Sequence, residues 1–509
     1  MLYFEELALE FLNFEALKFI VMSEVRQLEP SAIWNYFEDL NAVPRASKKE
    51  EGVIEFIMNF GESLGLLAKK DEVGNVVISK PASVGMEDRP MVVLQSHLDM
   101  VHQKNADTDF DFSTQGIQSY IDGEWVKAKG TTLGADNGMG VAAAMSVLAS
   151  KDMKHPAIEA LFTIDEETGM TGAKGLKPGF LSGKIMLNLD TEDDDELCIG
   201  CAGGMDTNVS WNYREESIPQ GYISCKLKIS GLKGGHSGVD IHLGRGNANK
   251  LMNRVLFTSP KSVDLRINGI NGGSLRNAIP RESVAAILVA DFSEFEKHVQ
   301  EMQEMLANEL GSADPDFKLT LTKTDNPERV MNRDDQKKLL NAVYALPNGV
   351  YRMSVDIPDL VETSSSLARV IVENGTFISQ SLQRSSVNSA KNDIGNSIRA
   401  TFELMGAEVQ QGGDYPGWKP LPDAPILKTM RDLYTGLFNE EPQVKACHAG
   451  LECGLIGEHY PGMHMISFGP TIKNPHSPDE KVNIASVQKF WRFLSKTLEE
   501  IPHMEMANA

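Results

Sequence analysis

From Pro30 onward, the apolar positions switch repeatedly between helical spacing and short, nearly unbroken runs. Val53, Phe56, Ile57 and Phe60 fall on one helical face, which predicts a helix from Glu50 to Leu66, and Ser31 is placed to cap an earlier helix reaching about Leu40. Strands expected at Asn75 to Ile78, Met91 to Gln95, Ala160 to Ile164 and Lys184 to Leu189 are apolar at almost every position, the pattern of strands covered on both faces. A helix from Asn137 to Ala149 separates the second from the third. This alternation predicts an α/β fold.

After Gly203-Gly204 the character changes. Strands such as Ile223 to Ile229 alternate apolar with polar positions, and an acidic amphipathic helix is expected from Phe292 to Leu310. Strand, helix and strand at Ser283 to Ala290, Phe292 to Leu310 and Phe317 to Thr322 are echoed in pattern at Ser366 to Val372, Val387 to Met405 and Glu408 to Gln411, which suggests two related α+β halves. A Gly/Pro-rich link from Gly412 to Pro425 leads back to a helix (Ile426 to Phe438), a strand (Met463 to Phe468) and a last helix (Ile484 to Glu500). The expected organisation is an α/β domain in two parts, 23–206 and 413–509, with an α+β domain, 207–412, inserted between them.

The 509 residues suffice for several domains with cores of their own, at ~100–200 residues per domain. A net charge of −22 disfavours nucleic acid and anionic membrane surfaces as partners. No apolar run reaches the ~18 residues of a membrane span. Five cysteines, an odd number without the density of a disulfide framework, fit thiols in a reducing compartment, so a cytoplasmic location is expected. Residues 1–22 carry four glutamates before their only cation, Lys18, unlike a secretory leader, and Met22-Ser-Glu-Val reads as an ordinary start, so the preceding stretch is expected to be an extension.

Acidic and histidine residues gather just past the apolar strands, and open α/β sheets bind ligands outside the carboxyl ends of their strands. Ser96-His97-Leu98-Asp99, Asp165-Glu166-Glu167 and Asn188-Leu189-Asp190 each follow such a run; Gly134-Ala135-Asp136-Asn137-Gly138 opens a helix, and Asn474-Pro475-His476 supplies a second histidine. Two imidazoles and three carboxylates suit a pair of Zn²⁺ ions. Paired cations serve hydrolysis, and a neighbouring carboxylate that is not a ligand must then take a proton from the attacking water. Glu166 and Glu167 are adjacent and can divide those two tasks. A single His-x-Asp or Glu-Glu pair is usually a solvated surface pair or a satisfied core residue; the ordered set carries the argument. Glu192 to Glu196 alone reads as a solvated acidic loop, and Cys198-Ile-Gly-Cys201, without a second such pair, as ordinary thiols.

At these residues the chain resembles the di-zinc exopeptidase family that contains carboxypeptidases, aminoacylases and carnosinases. The resemblance runs from about Ser23 to Pro502 and includes Gly130-Thr-Thr-Leu-Gly-Ala-Asp-Asn-Gly138, Gly231-Leu-Lys-Gly-Gly-His-Ser-Gly238, His448-Ala-Gly-Leu-Glu-Cys-Gly454 and Pro475-His-Ser-Pro-Asp-Glu480. It implies a mixed-sheet catalytic domain with an inserted lid. His97 and Asp190 would bind one zinc, Glu167 and His476 the other, with Asp136 bridging and preceding a cis peptide. Asp99 would orient His97, and Glu166 would act as general base. In the lid, His236 would stabilise the oxyanion, while Asn277 and Arg384 would grip the substrate carboxylate and Gly450 would line the pocket. The implied activity is hydrolysis of unblocked dipeptides, a C-terminal histidine being favoured and β-alanyl-histidine included, by a homodimer joined through the lid. Mn²⁺ or Co²⁺ could replace zinc. Two other readings stay open: a relative acting on N-acyl amino acids or other small amides, and a catalytically silent metal-binding assembly protein.

Overall fold

The structure, a computed structural model, describes residues 23–448 and 450–503, so the expected extension at 1–22 lies outside it. Contacts divide the chain into two compact units. Among the described residues one holds 23–199, Leu421–Lys445 and 455–503; the other holds Gly200–Pro420 and Ala446–Gly454.

The first unit is built on an eight-stranded mixed sheet in the order Leu67–Lys70, Val76–Lys80, Ile158–Thr163, Val92–His97, Ile185–Asn188, His464–Ser467, Glu196–Cys201, Gln443–Cys447. The four strands from Ile158–Thr163 to His464–Ser467 run parallel, so their carboxyl ends share one rim. Val92–His97, Ile158–Thr163 and Ile185–Asn188 are buried at every position, which explains why most of their residues are apolar. A small antiparallel sheet pairs Ile472–Lys473 with Lys481–Asn483, and the loop between them carries His476.

At two of the expected helix ends the difference from the structure has a local cause. Pro30, not Ser31, is the cap residue of Ser31–Asn41, because proline has no N–H to lose, while the Ser31 N–H is satisfied by the Glu29 carboxylate at 3.0 Å. The helix Glu51–Ser63 stops short of Leu66, where Gly65 takes a positive φ of 70°.

The second unit is a nine-stranded antiparallel sheet with helices Ala248–Phe257, Phe292–Leu310, Arg333–Ala345 and Asn388–Met405 contributing to its apolar core. Along the sheet lie Lys318–Lys323, Ile223–Ser230, Ser283–Val289 and Arg266–Gly272, then Val361–Glu373, Thr376–Ser385, Gly203–Asn212 and Glu408–Tyr415. Gly349–Met353 pairs alongside Val361–Glu373. Counting only the strands of this sheet, the order strand, strand, helix, strand thus occurs twice, from 266 to 323 and from 361 to 415. In that order Ser283–Val289 corresponds to Thr376–Ser385 rather than to the strand containing Ser366–Val372. No helix among the described residues is long and apolar enough to cross a membrane.

Candidate active site

His97 ends its strand with its imidazole only 1% exposed. Nδ1 lies 3.3 Å from Asp99 Oδ1 and 3.1 Å from the Asp99 carbonyl, which leaves Nε2 facing Asp136 Oδ1 at 3.2 Å and Asp190 Oδ1 at 3.5 Å. The other oxygen of Asp136 faces His476 Nε2 at 3.2 Å, and His476 Nε2 lies 2.9 Å from Glu167 Oε2. One carboxylate therefore stands between two histidines, each with a second carboxylate behind it. The Asp136–Asn137 peptide is cis. His476 sits at a left-handed φ of 60°, uncommon outside glycine and frequent at functional positions.

Asp99 ties this set to the next segment. Its Oδ1 accepts the Glu166 N–H at 3.0 Å, and its Oδ2 accepts the Glu167 N–H at 3.3 Å and the Ser47 hydroxyl at 2.8 Å. Asp165, at φ 51°, turns the chain there, and its carboxylate takes the hydroxyls of Thr168 and Thr171. One buried carboxylate thus orients both His97 and the Glu166-Glu167 pair.

Burial favours the neutral form of Asp190, and with Asp136 and Glu167 nearby it outweighs His97 and pushes the Asp190 carboxyl up to about 6. Burial likewise raises Asp99 and Asp136, but bonds to the histidines and to backbone N–H groups win, and both end below the usual carboxylate range. Hydrogen bonds to Asp136 and Glu167 hold His476 up at about 11, and Asp190, Asp136 and Asp99 raise His97 against its own burial. The cage is thus rich in negative potential and draws positive charge.

These residues fit a metal pair. Donor atoms of His97, Asp136 and Glu167 lie within 4.8 Å of one another. Glu167 Oε1 is buried with no hydrogen-bond partner among the described residues, a costly state for a carboxylate that a cation relieves. Nitrogen and oxygen donors without thiolate suit zinc and neighbouring divalent ions.

The remaining expected residues lie in the second unit. Gly235–His236 pairs with Ala278–Ile279, and the Ser237 N–H donates to the Asn277 carbonyl at 2.8 Å, so His236 and Asn277 share one ribbon. His236 Nδ1 accepts the N–H groups of Gly238 at 3.2 Å and Val239 at 3.0 Å. Both are donors, which places the ring proton on Nε2. Burial, then Arg384, lowers the His236 pKa against the pull of Asp240 and keeps the ring neutral. Arg384, 4% exposed, donates from Nη1 to the Tyr415 hydroxyl at 3.1 Å. Its Nη2 lies 3.4 Å from His236 Nε2, and its buried Nε has no partner among the described residues. Two donors side by side, with a third nitrogen unsatisfied, make a receptor for an anionic oxygen. Gly450 is half-buried.

The model of peptidase family M20/M25/M40 matches residues 93–500. The chain belongs to this family. This M20 peptidase, a hydrolase of peptide bonds, is 44% identical over 486 residues to the cytosol non-specific dipeptidase of Escherichia coli (strain K12), covering 94% of this chain and 100% of that one. The crystal structure of aminoacylhistidine dipeptidase from Vibrio alginolyticus superposes with a TM-score of 0.92 at 45% identity, over 95% of this chain and 99% of the other. Aminopeptidase PepT from Bacillus cereus ATCC 10987 shares the fold at a TM-score of 0.54 and 16% identity, over 93% and 99% of the two chains.

Sequence reasoning overlooked several residues of this M20 peptidase. Arg45 is fully buried and donates to the Leu98 carbonyl at 3.0 Å and the Asp99 carbonyl at 3.2 Å, yet nothing in its local sequence marks it. Glu480 was visible only as the last letter of the His476 motif. His448, quoted in a motif without a role, bonds the Ser364 hydroxyl at 2.7 Å. Tyr415 emerges only as the partner of Arg384.

Proposed function

We propose that this M20 peptidase is a cytoplasmic, zinc-dependent dipeptidase that cleaves unblocked dipeptides and favours a C-terminal histidine, β-alanyl-histidine included. The observation that carries the reading is the line His97, Asp136, His476, in which the two oxygens of one aspartate face the two imidazoles. His97, Asp190 and the shared Asp136 would hold one ion; Asp136, Glu167 and His476 would hold the other. Bound there, two divalent cations supply Lewis acidity toward the carbonyl and make water acidic enough to attack at neutral pH. Glu166 takes the proton of that water and delivers it to the leaving amine. Its backbone N–H is fixed by Asp99, which holds the base beside the ligands.

His236, of the same subunit or of a neighbouring one, hydrogen-bonds through its Nε2–H to the carbonyl oxygen as charge builds on it, an interaction worth ~3–4 kcal/mol in comparable cases. Arg384 and Asn277 hold the terminal carboxylate, and the unsatisfied Arg384 Nε supports that role. Gly450 offers its backbone to the same pocket. The names of the Escherichia coli and Vibrio alginolyticus relatives support a dipeptide substrate, and the second supports the histidine preference. Assembly as a homodimer through the second unit belongs to the same reading.

The deciding experiment measures metal content together with turnover of Ala-His, β-alanyl-histidine, other dipeptides and N-acetyl amino acids. Two ions per chain and fastest turnover of Xaa-His are expected. Preference for the acetylated compounds would instead identify an amidohydrolase, and no turnover at full metal loading a silent binding protein. In Glu166→Gln the metal content should be unchanged while kcat falls ~10²–10⁴-fold. Retained turnover would remove Glu166 as the base.

A further inference from the structure

Two fully buried, oppositely charged residues grip the turn that carries Asp136 from opposite chemical sides. Glu480 accepts four consecutive peptide N–H groups: Leu133 at 2.7 Å and Gly134 at 2.9 Å on Oε2, Ala135 at 2.7 Å and Asp136 at 3.1 Å on Oε1. Arg45 donates to the Gly134 carbonyl, to Asn41 Oδ1 at 3.4 Å, and to the carbonyls of Leu98 and Asp99. The grip explains the glycines of the motif. A Cβ at Gly134 would lie 2.4 Å from Arg45 Nη2, and one at Gly138 would lie 2.7 Å from it, where there is no room for an atom.

The connectivity of these bonds follows the ligands. Glu480 sits four residues after His476 and fastens that loop to the Asp136 turn. Arg45 fastens the same turn to the strand end that bears His97 and Asp99. The three ligand segments are therefore indexed to each other by two side chains that bond mainly to backbone groups, Glu480 with both oxygens and Arg45 with its two terminal nitrogens. With both oxygens taken by N–H donors, Glu480 is no ligand itself.

We infer that Glu480, with Arg45 as its counterpart, is a positioning residue that sets the spacing between the two metal sites. The inference rests on the two-ion reading above. An aspartate that must reach two cations at once tolerates little displacement, and its backbone is held by these bonds alone on the N–H side. Replacing the carboxylate by an amide leaves one acceptor oxygen and turns an NH₂ donor toward N–H donors.

The test strips metal from the wild type, Glu480→Gln and Glu480→Asp, then titrates each with Zn²⁺ alone against a chromogenic chelator, records the visible spectrum of the Co²⁺-loaded forms, and measures kcat and KM. The wild type should take up two ions. Glu480→Gln should bind at least one of them ~10–100-fold more weakly, the effect typical of groups that orient ligands, with an altered Co²⁺ spectrum and a loss in kcat at nearly constant KM. Glu480→Asp keeps the charge one methylene short and should fall between. A Glu480→Gln protein that melts earlier yet keeps both affinities and the Co²⁺ spectrum would reduce Glu480 to a plain helix cap and overturn the inference. So would loss of cooperative folding in both variants. A wild type that takes up fewer than two ions would instead bring down the two-ion reading itself, and the inference with it.

Discussion

His448 is 8% exposed, shares a 2.7 Å hydrogen bond with Ser364, and is held neutral down to about 3 by burial first and by Arg384 next. The unfolded chain titrates this group near ~6.5. Between those values the unfolded state binds a proton that the folded state refuses, so stability declines as pH drops below ~6.5, by at most ~1.4 kcal/mol per unit, and the loss levels off once the folded group protonates. Above ~6.5 both states are neutral and the group is silent. In His448→Gln the stability of the second unit, measured by denaturant unfolding of metal-free protein, should therefore depend less steeply on pH from 6.5 down to 4.5 than in the wild type. Parallel curves would contradict the burial argument. At this scale the clustering of His97, Asp136, Glu167, Asp190 and His476 is legible, because each follows a strand or sits in a stiff turn. Arg384 was harder: its burial depends on strand partners such as Gly204, far away in sequence, and no local pattern records that.

Among the elements, the helix Ala135–Ala149 shows why small residues were recognisable as a helix but not as a contact. A Cβ at Gly140 would lie 2.6 Å from the Leu189 carbonyl oxygen and 2.9 Å from Ser96 Oγ, so the helix approaches the strand ends at backbone distance. Gly140→Ala should cost ~1–3 kcal/mol of stability, read by chemical denaturation, through this overpacking. It should also lower turnover, since Asp136 opens the same helix and Asp190 follows Leu189. Strands covered on both faces were visible as apolar runs, and Phe292–Leu310 was visible from its amphipathic period alone. Thr376–Ser385 was not, for its Ser379, Ser381, Gln383 and Ser385 are polar yet buried between neighbouring strands. Hydrophobic periodicity is blind to a strand whose inward side chains are hydroxyls and amides. The sequence pattern ends the last strand of the second half at Gln411, because Gly412 and Gly413 look like a linker, whereas pairing with Gly203–Asn212 carries the strand on to Tyr415.

For the whole molecule, all five proposed ligands belong to the first unit, so metal should stabilise that unit alone. Calorimetry should resolve two transitions. Chelation should lower the one belonging to the first unit by an amount approaching ~4 kcal/mol where the ion had been present at a thousand times its Kd, and leave the other in place. An equal shift of both would show that the ions are bound elsewhere or that the units unfold as one.

The first unit is assembled from three stretches of chain, with most of the second unit inserted before the strand His464–Ser467 and before His476 are reached. Asp136 and His476 lie 340 residues apart, so a ribosome adding ~5–20 residues per second leaves the aspartate without its second imidazole for roughly 17–68 s. During that interval the nascent sheet lacks the parallel strand His464–Ser467. On the two-ion reading, a half-made chain would expose carboxylates able to catch a stray cation without the imidazole that completes the pair, and peptide cleavage would stay silent until translation is nearly over.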